Sequence, residues 1–299
     1  MNGQSGMSLR LAHFSDFHLS RLDRDFHRSV ALVDDAIGQE IDHLVITGDV
    51  VESGQMGVVK AFITALKQRR WASAARLTVI PGNHDIFPAS FRAIPSLRRP
   101  SRNFEKFAEL TRGSRTGSGV SRLLRGNPYP FGKVLSKDAV LAGIDTTRNG
   151  QSNPLRWAEG ELPEQQRTAV TKFFSKHAKA KHRIVAMHHH PWDEDFEEGW
   201  FEQRIGRVQK NFTTPPADEV RGWLRECGAT LVLCGHVHAE DGIAKRQIGK
   251  HCQVLRSGTA GGVDDADESG DKLHIYHLVD LEPGGRTRFT CRKRWDSQL

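Results

Sequence analysis

A chain of 299 residues with 37% hydrophobic and 26% charged side chains can bury a large core, and excludes collagen-like, coiled-coil and wholly disordered architectures. No apolar stretch approaches the ~20 residues that a membrane helix needs, so no membrane span is expected. The formal charge is +7, and the stretch from Arg92 to Arg125, with nine basic residues against two acids, carries an excess of that same size, so the remainder of the chain is balanced.

Residues 1–8 are polar, lack the basic-then-apolar pattern of a secretory leader, and are expected to be a disordered segment before a single domain over 9–299. Leu9–Phe14 reads as the first strand, and Phe26, Val30, Val33 and Ile37 fall on one face of a helix. His43–Ile46 is a short buried strand, and Val59, Phe62, Ile63 and Leu66 make the next helical stripe. Arg76–Ile80 is a third strand, closed by Pro81-Gly82. The region 87–132 breaks this rhythm, being rich in Arg, Ser, Gly and Pro, and reads as a basic insertion or cap with one helix around Asn103–Leu110. Val140–Ile144 resumes the strands, Pro163 opens a helix, and Arg183–Met187 runs into three histidines. An acidic loop from Asp193 to Glu202 follows, then a helix begun by Pro215-Pro216, then the strand Thr230–Leu233. From Ile243 the pattern is three or four short strands with Gly-rich turns. Alternating strands and helices predict an α/β layered fold with parallel pairing.

Each core strand ends in a polar cluster. Asp16-Phe17-His18 follows the first, Gly48-Asp49 the second, Gly82-Asn83-His84-Asp85 the third, His188-His189-His190-Pro191 a fourth and Gly235-His236-Val237-His238 a fifth. Ligands of open α/β sheets bind at the carboxyl ends of strands, so the five clusters should converge. Carboxylate, imidazole and amide without thiolate suit borderline or harder metals such as Mn, Fe or Zn. In Asp16-x-His18 and His236-x-His238 alternate residues leaving a strand point the same way, so both can reach one metal. The four cysteines lack CxxC spacing and make neither a disulfide framework nor a zinc knuckle, which suggests a reduced, cytoplasmic protein.

This ordered series of motifs resembles the calcineurin-like metallophosphoesterase superfamily, and Asn83-His84-Asp85 with the His-His-Pro run is similar to its bacterial cyclic-nucleotide phosphodiesterase and glycerophosphodiesterase members. The resemblance implies an α/β (α+β) fold, a four-layer αββα sandwich of two mixed β-sheets flanked by helices, with a dinuclear metal centre. It places Asp16, His18, Asp49 and His238 on one metal and Asn83, His189 and His236 on the other, with Asp49 bridging. His84 is implied as the residue that meets the substrate phosphate or leaving group. The family ligand stands two residues before the proline, which selects His189 and leaves His188 and His190 expected on the opposite face. Glu52 and Asp85 are expected to orient histidine or metal-bound water.

The activity so implied is hydrolysis of phosphodiesters by a hydroxide bridging two metal ions, with cyclic nucleotides among the candidate substrates. Nucleotide-sugar pyrophosphates, nucleic acid and phosphoproteins are the alternatives within the superfamily, and a small-molecule phosphate ester is favoured over nucleic acid. A non-enzymatic scaffold is disfavoured because every ligand position is filled. Arg98, Arg99 and Arg102 are candidate substrate contacts if the basic segment caps the cleft. Homo-oligomerisation is compatible with the sequence.

Overall fold

The computed structural model describes residues 8–87, 100–148, 157–192, 212–237, 244–262 and 271–299. The N-terminal segment 1–7, the acidic loop, Arg98, Arg99 and His238 lie outside them.

In chain order the elements are β1 (Leu9–Phe14), α1 (Arg24–Ile37), β2 (His43–Ile46), α2 (Met56–Gln68), β3 (Leu77–Val79), α3 (Asn83–Ile86) and α4 (Pro100–Leu110). A 3₁₀ turn at Arg112–Arg115 leads to β4 (Val120–Arg122), β5 (Phe131–Val134), β6 (Ala139–Gly143), β7 (Gly160–Glu161) and α5 (Glu164–Lys176). Then come β8 (His182–Ala186), β9 (Phe212–Thr214), α6 (Ala217–Glu226), β10 (Leu231–Cys234), β11 (Ala244–Ile248), β12 (Cys252–Arg256), β13 (Leu273–Leu281) and β14 (Thr287–Trp295).

The strands make a five-stranded sheet, ordered β14-β13-β1-β2-β3, a seven-stranded sheet, ordered β11-β12-β10-β8-β6-β5-β4, and the small pair β7-β9. Parallel pairing holds the middle of each large sheet, β1 to β2 to β3 in one and β6 to β8 to β10 to β12 in the other. Antiparallel strands complete the edges. Parallel strands end on the same side, so the polar clusters after β1, β2 and β3, and those after β8 and β10, are gathered by topology alone.

Strand alternation builds the layers. Leu141, Ile184, Ala186, Leu231 and Leu233 join the core shared with β1, β2, α1 and α2. Their neighbours Val140, Ala142, Val185, Met187, Val232 and Cys234 pack instead against Val170, Phe173 and Phe174 of α5 and Val220 and Leu224 of α6. One face of the seven-stranded sheet thus meets the other sheet and one meets helices, the sandwich the motifs implied.

The described part of the basic segment is packed into this frame. Phe104, Phe107 and Ala108 of α4 join the inter-sheet core, and β5 pairs with β6 in the seven-stranded sheet. Lys133 of β5 is buried, its Nζ donating to the carbonyls of Ala74, at 3.0 Å, and Leu77. Burial, then the Arg115 charge, holds its ammonium well below the usual lysine range. The unfolded chain therefore keeps this proton at pH values where the folded one does not, and stability falls as pH drops below about 10, the unfolded pKa. Denaturant titrations of wild type and Lys133→Met from pH 7 to 10 should show the wild type gaining stability over the variant as pH rises, by up to ~1.4 kcal/mol per pH unit. Parallel curves would mean that Lys133 is charged in the fold.

Candidate metal centre

Two glycines let the strand-end loops close on each other. A Cβ on Gly82 would lie 2.1 Å from Asp49 Oδ1 and 2.3 Å from Asp49 N, and one on Gly235 would lie 1.8 Å from Ser15 Oγ and 2.5 Å from Asp16 Oδ2. Neither position has room for a side chain.

Four side chains of the centre are launched from the left-handed backbone region: Asp16 (φ 57°), His18 (φ 49°), Asp49 (φ 49°) and His236 (φ 74°). Among the described non-glycine residues only Glu40 and Arg70 share that conformation. Each such residue costs on the order of 1–3 kcal/mol and persists where surrounding structure imposes it, commonly at functional sites.

The side chains form three overlapping trios, of which two share the Asp49 carboxylate and the third is His18, Glu52 and His84. Asp16, His18 and Asp49 offer ligand atoms within 4.8 Å of one another, and so do Asp49, His188 and His236. Asn83 Oδ1 joins the second trio, 2.8 Å from His188 Nε2 and 3.0 Å from His236 Nδ1. Asp16 and Asp49 are buried, as are Asn83 and His188.

Hydrogen bonds orient the histidines. His18 Nδ1 lies 2.7 Å from Glu52 Oε2, which turns Nε2 towards Asp16 Oδ1, at 3.8 Å, and Asp49 Oδ2, at 4.0 Å. His188 Nδ1 donates to the Thr47 carbonyl at 2.8 Å, leaving Nε2 facing Asn83 and, at 3.3 Å, Asp49 Oδ2. Burial disfavours both imidazolium ions, yet the hydrogen bond to Glu52 and the Asp49 and Asp16 charges hold His18 up at about 9, and Asp49 does the same for His188. For His236, burial and the neighbouring His189 and His188 push the ring well below the usual histidine range, to the neutral form that binds metal. Asp85 is tied to backbone, accepting from Gly82 N at 2.9 Å and Val51 N at 3.1 Å, and so fixes the turn that carries Asn83. Burial and the Asp49 charge push its carboxyl up to about 7.

Of the residues singled out in the sequence, Asp16, His18, Asp49, Asn83, His84 and His236 come together. His189 is near, its ring centroid 4.6 Å from that of His236, but its Nδ1 meets Thr146 Oγ1 at 2.7 Å. The side chain at the Asp49 face is His188, contrary to the expectation that it turns away. The reason is parity: Ile184 and Ala186 face the other sheet, and His188 continues that alternation. Arg102 is exposed on α4 beside Asn103, whose Nδ2 donates to Ile86 O at 3.0 Å, which sets this turn of α4 against α3. Thr146 and Trp157, the latter 5.0 Å from His84 between ring centroids, were not singled out in the sequence.

The donor set fits metal. Two carboxylates, imidazoles and an amide oxygen without thiolate match borderline or harder cations. Glu52→Ala should free the His18 ring and weaken metal binding by about 10–100-fold while the fold stands, because the carboxylate only orients the ligand. Competition against a fluorescent chelator would measure it; unchanged affinity would remove Glu52 from that role.

Two packed sheets with carboxylate–histidine clusters at their strand ends make an α/β sandwich with a candidate metal centre. Residues 9–240 match the model of the calcineurin-like phosphoesterases, and the chain belongs to that family, whose members carry a dinuclear metal centre. No curated protein sequence matches it. Similar solved structures include a dimetal phosphatase from Danio rerio, with 12% identity, TM-score 0.58 and 96% of each chain covered. The inner-membrane-complex anchor GAP50 of Plasmodium aligns at 11% identity and TM-score 0.54, covering 97% of this chain and 85% of its own. A Haemophilus influenzae NAD nucleotidase aligns at 10% identity and TM-score 0.51, covering 97% of this chain and 50% of its own. At these identities the likeness is one of fold.

Proposed function

We propose that this chain hydrolyses small-molecule phosphodiesters, cyclic nucleotides among them, at a dinuclear metal centre. The observation that carries the reading is the sharing of Asp49 between two ligand trios. One ion would be held by Asp16, His18 and Asp49, with His238 of the motif as the further ligand; the other by Asp49, Asn83, His188 and His236. When bound, the ion pair supplies Lewis acidity and a nucleophile at neutral pH. Manganese, iron and zinc all suit the donors.

The protein's own groups then orient and discriminate. Glu52 and the Thr47 carbonyl aim His18 and His188, and Thr146 holds His189 against His236. His84 is read as the substrate-facing residue: its backbone N–H donates to Asp49 Oδ1 at 2.9 Å and its Nδ1 donates to Glu52 O at 2.8 Å, so Nε2 is the nitrogen left for substrate. Trp157, edge-on to His84, supplies an aromatic wall suited to a nucleobase or aryl ester. Arg102 remains a candidate contact for a distal anionic group, as do Arg98 and Arg99. Among the described residues no helix is long and apolar enough to cross a membrane.

The test is turnover by Mn-loaded protein of a panel holding cyclic nucleotides, glycerophosphodiesters, nucleotide sugars, a phosphopeptide and DNA. Preference for the first two supports the reading, and preference for any other replaces it. Metal analysis separates the histidines: His188→Ala should lose about one ion per chain and His189→Ala should keep both, with a raised KM or lowered kcat. The reverse pattern would return the ligand role to His189.

A further inference from the structure

Three of the basic residues between Arg92 and Arg125 gather at one place apart from the metal centre. Arg112, Arg115 and Arg122 line a cavity of about 210 Å³ together with Thr116, Asn127 and Phe131, and no carboxylate lines it. We propose that this cavity is a second anion site, which takes the phosphate group of a small ligand. The proposal is independent of the function proposed for the metal centre.

The first support is charge that protein groups leave unbalanced. Several arginines elsewhere have carboxylate partners: Arg10 with Asp280 at 2.7 Å, Arg28 with Asp296 at 2.8 Å, Arg69 with Asp34 and Arg294 with Asp35 at 2.9 Å. Among the described residues none of Arg112, Arg115 and Arg122 has an ion pair with a carboxylate. On the same segment Lys106 is matched by Glu109 at 2.8 Å, whereas the three that share the cavity face one another with no acid between them.

The second support is preorganisation. Arg115 is half-buried, with Nη2 donating to Ala108 O, Nη1 donating to Pro128 O at 3.4 Å, and its guanidinium 4.8 Å from the Tyr129 ring centroid. Carbonyls and an aromatic face fix the group without cancelling its charge. Arg112 and Arg122 are exposed and can fold onto a ligand from the 3₁₀ turn and from β4. Planar guanidinium forks match tetrahedral oxyanions in pairs of hydrogen bonds, and a phosphate dianion gains most from three of them. The volume suits a phosphate group more than a drug-sized molecule, whose sites begin near ~300 Å³.

The third support is separation. Helix α4 starts beside α3 and the metal centre, where Asn103 bonds Ile86 O. Its other end, at Ala108, lines the cavity, and the adjoining Gly113 approaches Ala72, before the amino end of β3. In the seven-stranded sheet β4, which carries Arg122, stands three strands from β8, which leads to His188, ~14 Å across the sheet, so one ligand phosphate cannot serve both places.

Residue-resolved labelling tests this directly. Metal-loaded protein is treated with phenylglyoxal and the rate at each arginine is read by mass spectrometry, in chloride, inorganic phosphate or a nucleoside monophosphate at matched ionic strength. At a concentration about ten times the dissociation constant, labelling of Arg112 and Arg122 should slow about tenfold, while exposed Arg24 and Arg286 stay unchanged. Protection by inorganic phosphate assigns the site to the free ion; protection by the nucleotide alone assigns it to a phosphate ester. The protection should survive chelator treatment, and its loss on metal removal would place the anion at the metal centre instead. No protection by either phosphate compound, or equal protection by chloride, overturns the proposal.

Discussion

Replacing Asp49 with alanine is expected to empty both halves of the metal centre and to lower hydrolysis by about 10⁴-fold or more, the scale seen when a central catalytic group is removed. Asp49 belongs to two of the ligand trios, whereas Asp16 and His236 each belong to one. Without the shared carboxylate, two cations would face each other across ~3.5–4 Å with nothing to screen their repulsion. The same carboxylate also accepts from the His84 amide, so the substrate side of the site loses an anchor with it. Elemental analysis should find under one ion per chain in Asp49→Ala, and about one in Asp16→Ala and in His236→Ala. Asp49→Asn keeps the volume and an acceptor for His84, and guards against a variant that merely fails to fold; it should lose metal as well. Two ions in either Asp49 variant would end the bridging assignment.

Much of this was legible in the sequence because the buried strands are mostly apolar. The first two strands have the bounds read from their residues, Leu9–Phe14 and His43–Ile46, and the helical stripes at Phe26–Ile37 and Val59–Leu66 fall inside α1 and α2. Polar clusters at strand ends converge because parallel topology leaves them no other place. What escaped was structure without such a signal. β4 has a single apolar residue, Val120, and β5 interrupts its run with Gly132 and Lys133, whose burial depends on carbonyl partners distant in sequence. The pair β7-β9 is two and three residues long.

The three histidines show the difference between motif spacing and strand parity. Counting back from Pro191 selects His189, but counting forward from Ile184 and Ala186 selects His188 for the face that meets Asp49. The strand supplies the stronger constraint, since its hydrogen-bonded register continues to the site: Gly235 N donates to His188 O at 3.0 Å. The proline shapes only the chain beyond. Thr146 could not be found from the sequence, because its link to His189 spans 43 residues and depends on how β6 and β8 pair.

His84→Ala is expected to keep both ions and to lose about 10²–10⁴ in kcat, the range of a positioned proton donor. Its ring is fixed on one side and open on the other. Nδ1 is committed to the Glu52 carbonyl at 2.8 Å, and the side chain, 19% exposed, stands edge-on to Trp157 and to His18. A carbonyl accepts and never donates, so Nδ1 carries a hydrogen and any proton passed to substrate must leave from Nε2. If that proton goes to the departing oxygen, the loss depends on how badly the oxygen needs it. An alkyl diester leaves as a strongly basic alkoxide, while p-nitrophenolate departs with little help. The ratio of wild-type to variant kcat should therefore be larger for the alkyl ester, and His84→Gln, which restores a donor but not a proton of suitable acidity, should recover only part of it. Equal ratios for the two esters would instead make His84 a fixed positive or dipolar group that stabilises phosphate charge, a role His84→Gln would largely rescue.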